Sequence, residues 1–326
     1  MTSPGLAYWH HQVVSSDAYP EEAVQRMMAL PEFEQACATA ARNSVALTTS
    51  NSSVARAFRD SAKSFYALFV MILDARGPVT LASLQALAAE LGFASRGRAA
   101  AMMMYLRMIG YLERCADQPS GRSVGFKASD KLIAVHDDFM RNELQAAARI
   151  EPEAQPAVER LHEPEFRRAY VRQMGGGLVR LVRGPRVATS LFADRDAGLA
   201  ILYRLALSGS EYPAREAMEV SLSEIARAQG VSRSHVTRLL RDAVAAGLMR
   251  QERNGAWTIL EPLRKALLRL HALSFVGHAA FAYGAAQALR EQAAEGSDAS
   301  PLSHKGSPSL ERAAHGVTRL NAEGAP

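Results

Sequence analysis

The residues best suited to chemistry are polar side chains on one face of a predicted helix that begins near Ser232. These candidate binding residues are Ser232, Arg233, Ser234, His235, Thr237, Arg238 and Arg241. Arginine binds guanine edges or phosphates, and serine, threonine and histidine hydrogen bond to bases or backbone oxygens. Six arginines against Asp242 and Glu252 give residues 227–253 a net charge of +4. The pattern predicts contact with DNA, and a solvated helix face is the alternative interpretation.

Two helices joined by a tight turn would position these side chains. The apolar positions of the first helix are Leu222, Ile225 and Ala226. The apolar positions of the second are Val236, Leu239, Leu240, Ala243 and Val244. Gly230 can adopt the positive φ that ends the first helix, Val231 can fill the angle between the two, and Ser232 can cap the second. The spacing predicts a helix-turn-helix.

A β-hairpin is predicted immediately after the second helix. Gly247 ends that helix, and residues 248–252 and 256–260 have the composition of two strands. Arg253-Asn254-Gly255 joins them, and Asn-Gly is a strong hairpin signal. Arg250, Arg253 and Asn254 on this hairpin are further candidate DNA contacts.

The succession of helix, turn, helix and hairpin resembles the winged helix-turn-helix of bacterial transcription regulators. With its long flanking helices, the chain resembles the MarR-like regulators. This resemblance implies a recognition helix over about 232–246 in the major groove and a wing over about 250–258 on the backbone or minor groove. It also implies dimers on near-palindromic operators and often a small-molecule pocket, for which the sequence identifies no ligand and no residues.

Residues 79–114 repeat the organisation of the helix-turn-helix. Ser95-Arg96 and Gly110-Tyr111 each lie 137 residues before Ser232-Arg233 and Gly247-Leu248. Residues 113–128 offer a second wing with its tip at 117–123. We call residues 79–128 the first unit and residues 219–259 the second unit, and an internal duplication is the simplest account. Arg96, Arg98 and Arg122 of the first unit join the candidate DNA contacts.

The two units differ on the face of the second helix. The first-unit residues at the positions of Thr237, Arg238, Arg241 and Asp242 are Ala100, Ala101, Met104 and Tyr105. An apolar face is poorly suited to base recognition and is more often covered by protein. The second unit is therefore the predicted sequence reader, and the first unit binds DNA weakly or serves in assembly. Two units in one chain allow either a homodimer or an intramolecular pseudo-dimer.

The predicted fold class is mainly α with short β-hairpin wings, made of tandem winged helix-turn-helix domains plus long packing helices. The predicted parts are an N-terminal arm and helices (1–50), a first winged-helix domain (51–150), a linker with an Arg-rich segment (151–190), a second winged-helix domain with a long C-terminal helix (191–291) and a disordered tail (292–326).

Several local features are predicted outside the two units. Ser44 to Ser53 is predicted to be turn-like, and a helix is predicted from Val54 to Ala75. Gly175-Gly176-Gly177 is predicted to stop a helix. The arginines of residues 166–193 either contact phosphates or pair with the acidic residues 151–165. The last helix, from Glu261 to about Leu289, is predicted to be buried against a partner subunit or the N-terminal half.

Composition narrows the class of function. The net charge of +5 and the pI near 9.3 fit a polyanionic partner. Cys37 and Cys115 are far apart, without CxxC or a histidine cluster, so we expect no metal, no disulfide framework and a reducing, cytoplasmic location. We also expect no cofactor, and DNA binding would make the protein nucleoid-associated. The N-terminus lacks the layout of a signal peptide, and residues 272–289, interrupted by Gly277 and His278, are expected to be a buried helix and not a membrane span.

Three classes of function remain open from the sequence. A transcription regulator is the first, and a plasmid-type replication initiator is the second, because such initiators also resemble tandem winged helices with one copy specialised for assembly. A protein-interaction adaptor is the third, because winged helices also serve complexes without reading bases. The sequence has no GxSxG, no HExxH and no nucleotide-binding loop, so an enzyme is not expected.

Overall fold

The computed structural model describes residues 2–50, 55, 58–93, 96–115, 124–182 and 188–298. They form a mostly helical fold with two antiparallel two-stranded hairpins, which confirms the mainly α class with short hairpins. Up to residue 148 the elements are α1 (Leu6–His10), a π-helix (His11–Ser15), α2 (Glu21–Met28), α3 (Phe33–Ser50), α4 (Ser61–Asp74), α5 (Leu81–Glu90), α6 (Arg96–Met108), β1 (Leu112–Arg114), β2 (Phe126–Ala128) and α7 (Asp130–Ala148). After residue 148 they are a 3₁₀ turn (Pro152–Ala154), α8 (Gln155–Arg160), α9 (Pro164–Val182), α10 (Ser190–Ala193), α11 (Gly198–Ala206), α12 (Leu222–Gln229), α13 (Arg233–Ala245), β3 (Met249–Gln251), β4 (Trp257–Ile259) and α14 (Glu261–Asp298).

The same local fold occurs twice, with the spacing of 137 residues that the sequence predicted. Helices α6 and α13 begin and end at equivalent positions, and so do strands β1 and β3. The backbone N–H of Tyr111 donates to the carbonyl of Leu106 at 2.8 Å, and the equivalent Leu248 donates to Ala243 at 2.9 Å. The chain therefore leaves the second helix of each unit through the same hydrogen-bonded turn.

A third extended segment closes each unit. The backbone of Val79 exchanges hydrogen bonds of 2.7 and 2.8 Å with Phe126, at the start of β2. In the second unit Met218 exchanges bonds of 2.8 and 2.9 Å with Trp257 of β4. Each hairpin is thereby tied to the chain that enters its first helix, which holds the hairpin against the helix pair.

The local signals of the second unit act as the sequence predicts. Gly230 has φ of 61° and ends α12, and Gly247 has φ of 68° just after α13. The Ser232 hydroxyl accepts the N–H of His235 at 3.1 Å and so caps α13. The predicted helix ends and the predicted cap are therefore confirmed. They could be predicted from the sequence because each signal acts within a few residues.

Helix α14 is buried against the N-terminal half, as predicted for so apolar a helix. It packs on α9, α1, α7 and α2, and Phe275, Val276 and Ala280 are fully buried. The N-terminal arm packs into the same core. Trp9 is fully buried, and its indole N–H donates to the carboxylate of Glu151 at 2.6 Å.

The triple glycine lies inside α9, so the prediction that it stops a helix is wrong. A Cβ on Gly175 would lie 2.7 Å from a methyl carbon of Ile72, and a Cβ on Gly177 would lie 2.6 Å from a ring carbon of Phe281. Helix α9 packs so closely on α4 and α14 that only glycine fits at these two positions. Burial of the helix therefore outweighs the low helix propensity of glycine.

The prediction of a turn from Ser44 is also wrong, because α3 continues to Ser50. The hydroxyls of Thr48 and Ser50 donate to carbonyls one turn earlier, at 2.9 and 2.8 Å. These side chains satisfy their polar groups within the helix instead of interrupting it. Residues 51–53 of the predicted turn lie outside the described residues.

Two other helix boundaries differ from the prediction. Helix α4 begins at Ser61, because the Asp60 carboxylate caps it by accepting the Lys63 N–H at 2.9 Å. Residues 58–60 before it are not helical, and residues 54, 56 and 57 of the predicted helix lie outside the described residues. Helix α14 continues past Leu289 to Asp298 and so includes the first residues of the predicted tail. The rest of that predicted tail lies outside the described residues.

Candidate nucleic-acid interface

Helix α13 turns its apolar stripe inward and its polar face toward solvent. The buried residues of the stripe are Val236, Leu239, Leu240 and Ala243. Val244 was predicted to join them but is 40% exposed, because it lies at the edge of the stripe in the last turn. The candidate binding face is thus held by packing on its opposite side.

Three arginines dominate the exposed face of α13. Arg233, Arg238 and Arg241 are all exposed. Within the part of the chain that the structure describes, their guanidinium groups form no hydrogen bond or ion pair. A guanidinium carries five N–H donors in a planar fork, which matches guanine edges and phosphate oxygens. These three side chains are therefore available to an anionic or base-bearing partner.

The hydroxyl groups on the same face are partly used inside the protein. The Ser232 hydroxyl caps α13 and lies 2.9 Å from the hydroxyl of Ser234, and both residues are exposed. The Thr237 hydroxyl donates to the carbonyl of Arg233 at 3.0 Å. Each hydroxyl keeps a lone pair, but these bonds restrict its direction, so the arginines have more freedom to bind a partner.

His235 is half-buried at the start of α13. Its Nε2 lies 2.9 Å from the carbonyl oxygen of Asp196. A carbonyl only accepts, so Nε2 carries the hydrogen and Nδ1 is the acceptor of the neutral ring. His235 therefore anchors the helix with one nitrogen, and only the other is left for a partner.

The hairpin of the second unit carries Arg250, which has an ion-pair partner, and Arg253, which has none among the described residues. Arg250 Nη2 lies 2.7 Å from Oε1 of Glu252, which also accepts the Thr258 hydroxyl at 2.7 Å. The bonds from Arg250 and then Thr258 lower the pKa of Glu252, which keeps the carboxylate charged beside the arginine. Arg253 and Asn254 are exposed at the tip, and the Asn254 side chain accepts the N–H of Ala256 at 3.1 Å.

The corresponding face of the first unit is apolar and exposed. Met104 is 69% exposed and Met108 is 78% exposed, one turn apart on α6. Ala101 is exposed beside them, whereas Met103 and Leu106 are buried on the inner face. The candidate binding side chains of the second unit thus have no counterpart on this face, which is a methionine-rich surface in the first unit.

The basic candidates of the first unit are only partly described. Arg98 is exposed in the first turn of α6. Arg96 begins α6, but its side chain lies outside the described residues, as does all of Arg122. Arg107 near the end of α6 packs over the ring of Phe126, 4.8 Å from its centre, so it supports the hairpin.

The Arg-rich segment 166–193 is divided between internal contacts and solvent. Arg167 forms an ion pair with Asp137 at 3.0 Å, and the Nε of Arg172 donates to the carbonyl of Ala75 at 2.8 Å. Arg168 is exposed. Neither Asp137 nor Ala75 belongs to the acidic residues 151–165, so the predicted pairing with that segment is not formed by these two arginines.

No protein-family model, curated protein or solved structure matches this chain. The described residues include no helix long and apolar enough to cross a membrane. In the same residues, no group of three or more histidine, cysteine, aspartate or glutamate side chains could hold a metal ion. The function must therefore be inferred from the shape and charge of the surface of α13 and its hairpin.

Sequence reasoning missed two residues that contact the start of α13. Arg59 and Asp196 form an ion pair beside the turn that precedes this helix. Each belongs to an Arg-Asp dipeptide that lies just before the helix leading into a unit, Arg59-Asp60 before α4 and Arg195-Asp196 before α11. This repeated dipeptide marks both positions in the sequence, but it does not indicate that Arg59 and Asp196 would meet.

Proposed function

We propose that the protein is a sequence-specific regulator of transcription that binds double-stranded DNA through tandem winged helix-turn-helix units, similar to those of MarR-like regulators. In this proposal α13 lies in the major groove and the β3–β4 hairpin contacts the backbone or the minor groove. The observation that carries the proposal is the exposed face of α13, a capped helix beside a hairpin, where three arginines have no partner among the described residues.

The charge and size of this face fit a duplex. A major groove admits an α-helix, and arginine binds the O6 and N7 atoms of guanine with two parallel hydrogen bonds. Arg233 lies at the N-terminal end of α13, where the helix dipole also favours a phosphate. Arg253 and Asn254 at the hairpin tip would then contact the sugar–phosphate backbone.

The first unit has a different role in this proposal. Its exposed Met104 and Met108 favour contact with protein over contact with bases. Assembly through this face would give a homodimer, whereas the two units of one chain would otherwise act as an intramolecular pseudo-dimer. Arg98 could still supply a weak phosphate contact.

The unequal units also support a second candidate function, a plasmid-type replication initiator. In such a protein one unit would read DNA and the other would assemble copies on repeated sites. The exposed methionine face of α6 is the observation in favour of this alternative. A regulator would occupy a discrete site near a promoter, whereas an initiator would occupy repeated sites at an origin.

The test is selection of bound duplexes from a random pool at one fixed salt concentration. Wild type, the double variant Arg233→Ala/Arg238→Ala and the control Arg290→Ala are selected in parallel. Arg290 is exposed on α14, and its side chain bonds only to Gln287 in the described part of the chain. A motif enriched by wild type and control but lost by the double variant supports the proposal.

The single variant Arg238→Ala measures what this side chain contacts. If it meets a base edge, specific binding weakens by roughly 1–3 kcal/mol, whereas a phosphate contact would give a smaller loss on every sequence. Unchanged binding contradicts the placement of α13 in the groove. Absence of any motif, with binding that collapses as salt rises, overturns sequence-specific recognition and favours the adaptor.

A further inference from the structure

The two units are joined by a direct contact between the segments that precede their leading helices. Residues 58–61 precede or begin α4, and residues 194–197 precede α11. The N–H of Ala197 donates to the carbonyl of Arg59 at 2.7 Å, and the Arg59 Nε donates to the carboxylate of Asp196. We call these two segments the junction.

The Arg59–Asp196 pair also contacts both ends of the turn before α13. The Nη2 of Arg59 donates to the carbonyl of Gly230 at 3.0 Å, at the end of α12. The carbonyl of Asp196 accepts from Nε2 of His235 at 2.9 Å, in the first turn of α13. One arginine of the N-terminal half thus fixes the turn, and its partner fixes the start of the helix that carries the candidate DNA contacts.

The second helix of each unit, α6 or α13, has a charged neighbour in the junction or next to it. The ammonium group of Lys63 on α4 lies 5.9 Å from the centre of the Tyr105 ring on α6. Arg195 in the junction lies 3.5 Å from the carboxylate of Asp242 on α13. Tyr105 and Asp242 are equivalent residues, 137 positions apart. Charged groups in the junction or next to it therefore contact the equivalent helices of both units.

The pair is better suited to orient than to stabilise. The Arg59 side chain is 30% exposed and that of Asp196 is 42% exposed, so water weakens their attraction. A planar guanidinium that donates to a carboxylate and a carbonyl at once fixes direction as well as distance. Preorganisation of a binding helix by such bonds reduces the cost of ordering it on its partner.

We propose that the Arg59–Asp196 pair is a positioning device, through which the N-terminal half sets the orientation of α13 for sequence discrimination by the second unit. The proposal rests on the proposed function, since discrimination between duplexes is what the orientation serves. Arg59 and Asp196 are positioning residues here and need not touch DNA. Discrimination by α13 then depends on the N-terminal half of the same chain.

The test compares full-length wild type, Arg59→Ala and Arg59→Lys. Lysine keeps the charge but cannot donate through a fork to two fixed acceptors. The matched control is Arg141→Ala, which removes an arginine of similar exposure that pairs with Asp138 on α7. For each protein, affinities are measured on the selected duplex and on a scrambled duplex at one salt concentration, and amide hydrogen exchange is followed over residues 230–236.

Both Arg59 variants should lose roughly tenfold or more of the affinity ratio between the two duplexes, about the discrimination that one base pair supplies. Binding to the scrambled duplex should match the Arg141→Ala control for Arg59→Ala and should match wild type for Arg59→Lys, which keeps its charge. Exchange over residues 230–236 should accelerate in the Arg59 variants and stay unchanged in the control. A preserved affinity ratio overturns the proposal, even if exchange accelerates, because the pair would then be merely structural.

Failure of the proposed function gives a different result. A wild-type chain that binds the selected and scrambled duplexes equally contradicts sequence-specific recognition itself. Amide exchange over residues 230–236 then tests whether the Arg59–Asp196 pair orders the start of α13. Unchanged exchange in Arg59→Ala shows that it does not. Thermal unfolding of each variant establishes that it is folded at the temperature of measurement.

Discussion

The hydroxyl oxygen of Tyr170 lies 2.5 Å from Nδ1 of His278, where α9 packs on α14. Burial raises the pKa of Tyr170 well above its usual value and lowers the pKa of His278 to about 4, so the phenol donates to a neutral imidazole. A second pair lies nearer the start of α14, where the Tyr212 hydroxyl is 2.7 Å from Nε2 of His271. Helix α14 is thus held by hydrogen bonds between uncharged side chains as well as by apolar contacts.

The buried histidines predict a loss of stability in mild acid. Burial, and then the nearby charges of His278 and Arg167, lower the pKa of His136 to about 3 from a usual value of 6.5. The unfolded chain therefore binds a proton below pH 6.5 that the folded chain excludes until about pH 3. The folding stability that comes from keeping His136 neutral is fully present above pH 6.5. It is lost as the pH falls from 6.5 towards about 3.

The measurement compares wild type with His136→Leu by urea unfolding at several pH values. Between pH 7.5 and 5.0 wild type should lose about 2 kcal/mol more than the variant, since one pKa unit corresponds to about 1.4 kcal/mol. Burial raises the pKa of neighbouring Asp137 to about 6, which acts in the opposite direction, but that residue is present in both proteins. His162→Leu at an exposed position is the control, and parallel profiles for wild type and His136→Leu contradict the prediction.

The triple glycine gives a pair of opposite predictions from neighbouring residues. A Cβ at Gly176 meets no atom within 4 Å, whereas a Cβ at Gly177 would lie 2.6 Å from a ring carbon of Phe281 and 2.8 Å from a methyl carbon of Val13. Gly176→Ala should stabilise the protein by about 0.5–1 kcal/mol, because alanine has the higher helix propensity. Gly177→Ala should destabilise it by roughly 1–3 kcal/mol through overpacking.

Chemical denaturation of the two glycine variants checks this difference. The two proteins have the same composition and differ only in which neighbour carries the methyl group, so each is the control for the other. The midpoint should rise for Gly176→Ala and fall for Gly177→Ala. A shift in the same direction for both would mean that α9 is not packed against Phe281 as described.

The second unit could be predicted in detail because its signals are local. Gly230, Ser232 and Asn254-Gly255 each act on residues within one turn, and the structure has the expected helix end, cap and hairpin at these positions. The repeat at 137 residues could be predicted for the same reason. Whether the exposed face of α13 binds DNA stays a prediction.

Features that depend on long-range packing could not be predicted from the sequence. The glycines of α9 had the composition of a helix stop, and only contact with Ile72 and Phe281 explains why they are helical. The Arg59–Asp196 pair joins residues 137 positions apart, and no local pattern indicates which two side chains would meet. Trp9 of the N-terminal arm is buried through a helix of only 5 residues, which is too short to show a helical period in the sequence.

The exposed methionines of α6 predict that the first unit serves assembly more than base recognition. Met104 occupies the position of Arg241, so Met104→Arg gives the first unit an arginine of the second. If this face is covered by protein, Met104→Arg buries an unpaired charge and should weaken self-association by ~2 kcal/mol or more. Any gain in the free energy of specific DNA binding should be smaller than this loss. Ala245→Arg, which adds the same charge to the exposed end of α13, is the control for charge alone.

A sizing column run over a range of protein concentrations, with a DNA titration in parallel, measures both effects of Met104→Arg. The variant should elute later than wild type at equal concentration, and Ala245→Arg should elute with wild type. An unchanged elution volume together with a clear gain in specific DNA affinity would reverse the interpretation. The first unit would then be a second DNA reader, lacking only a base-binding side chain at position 104, because its helix, turn and hairpin already match those of the second unit.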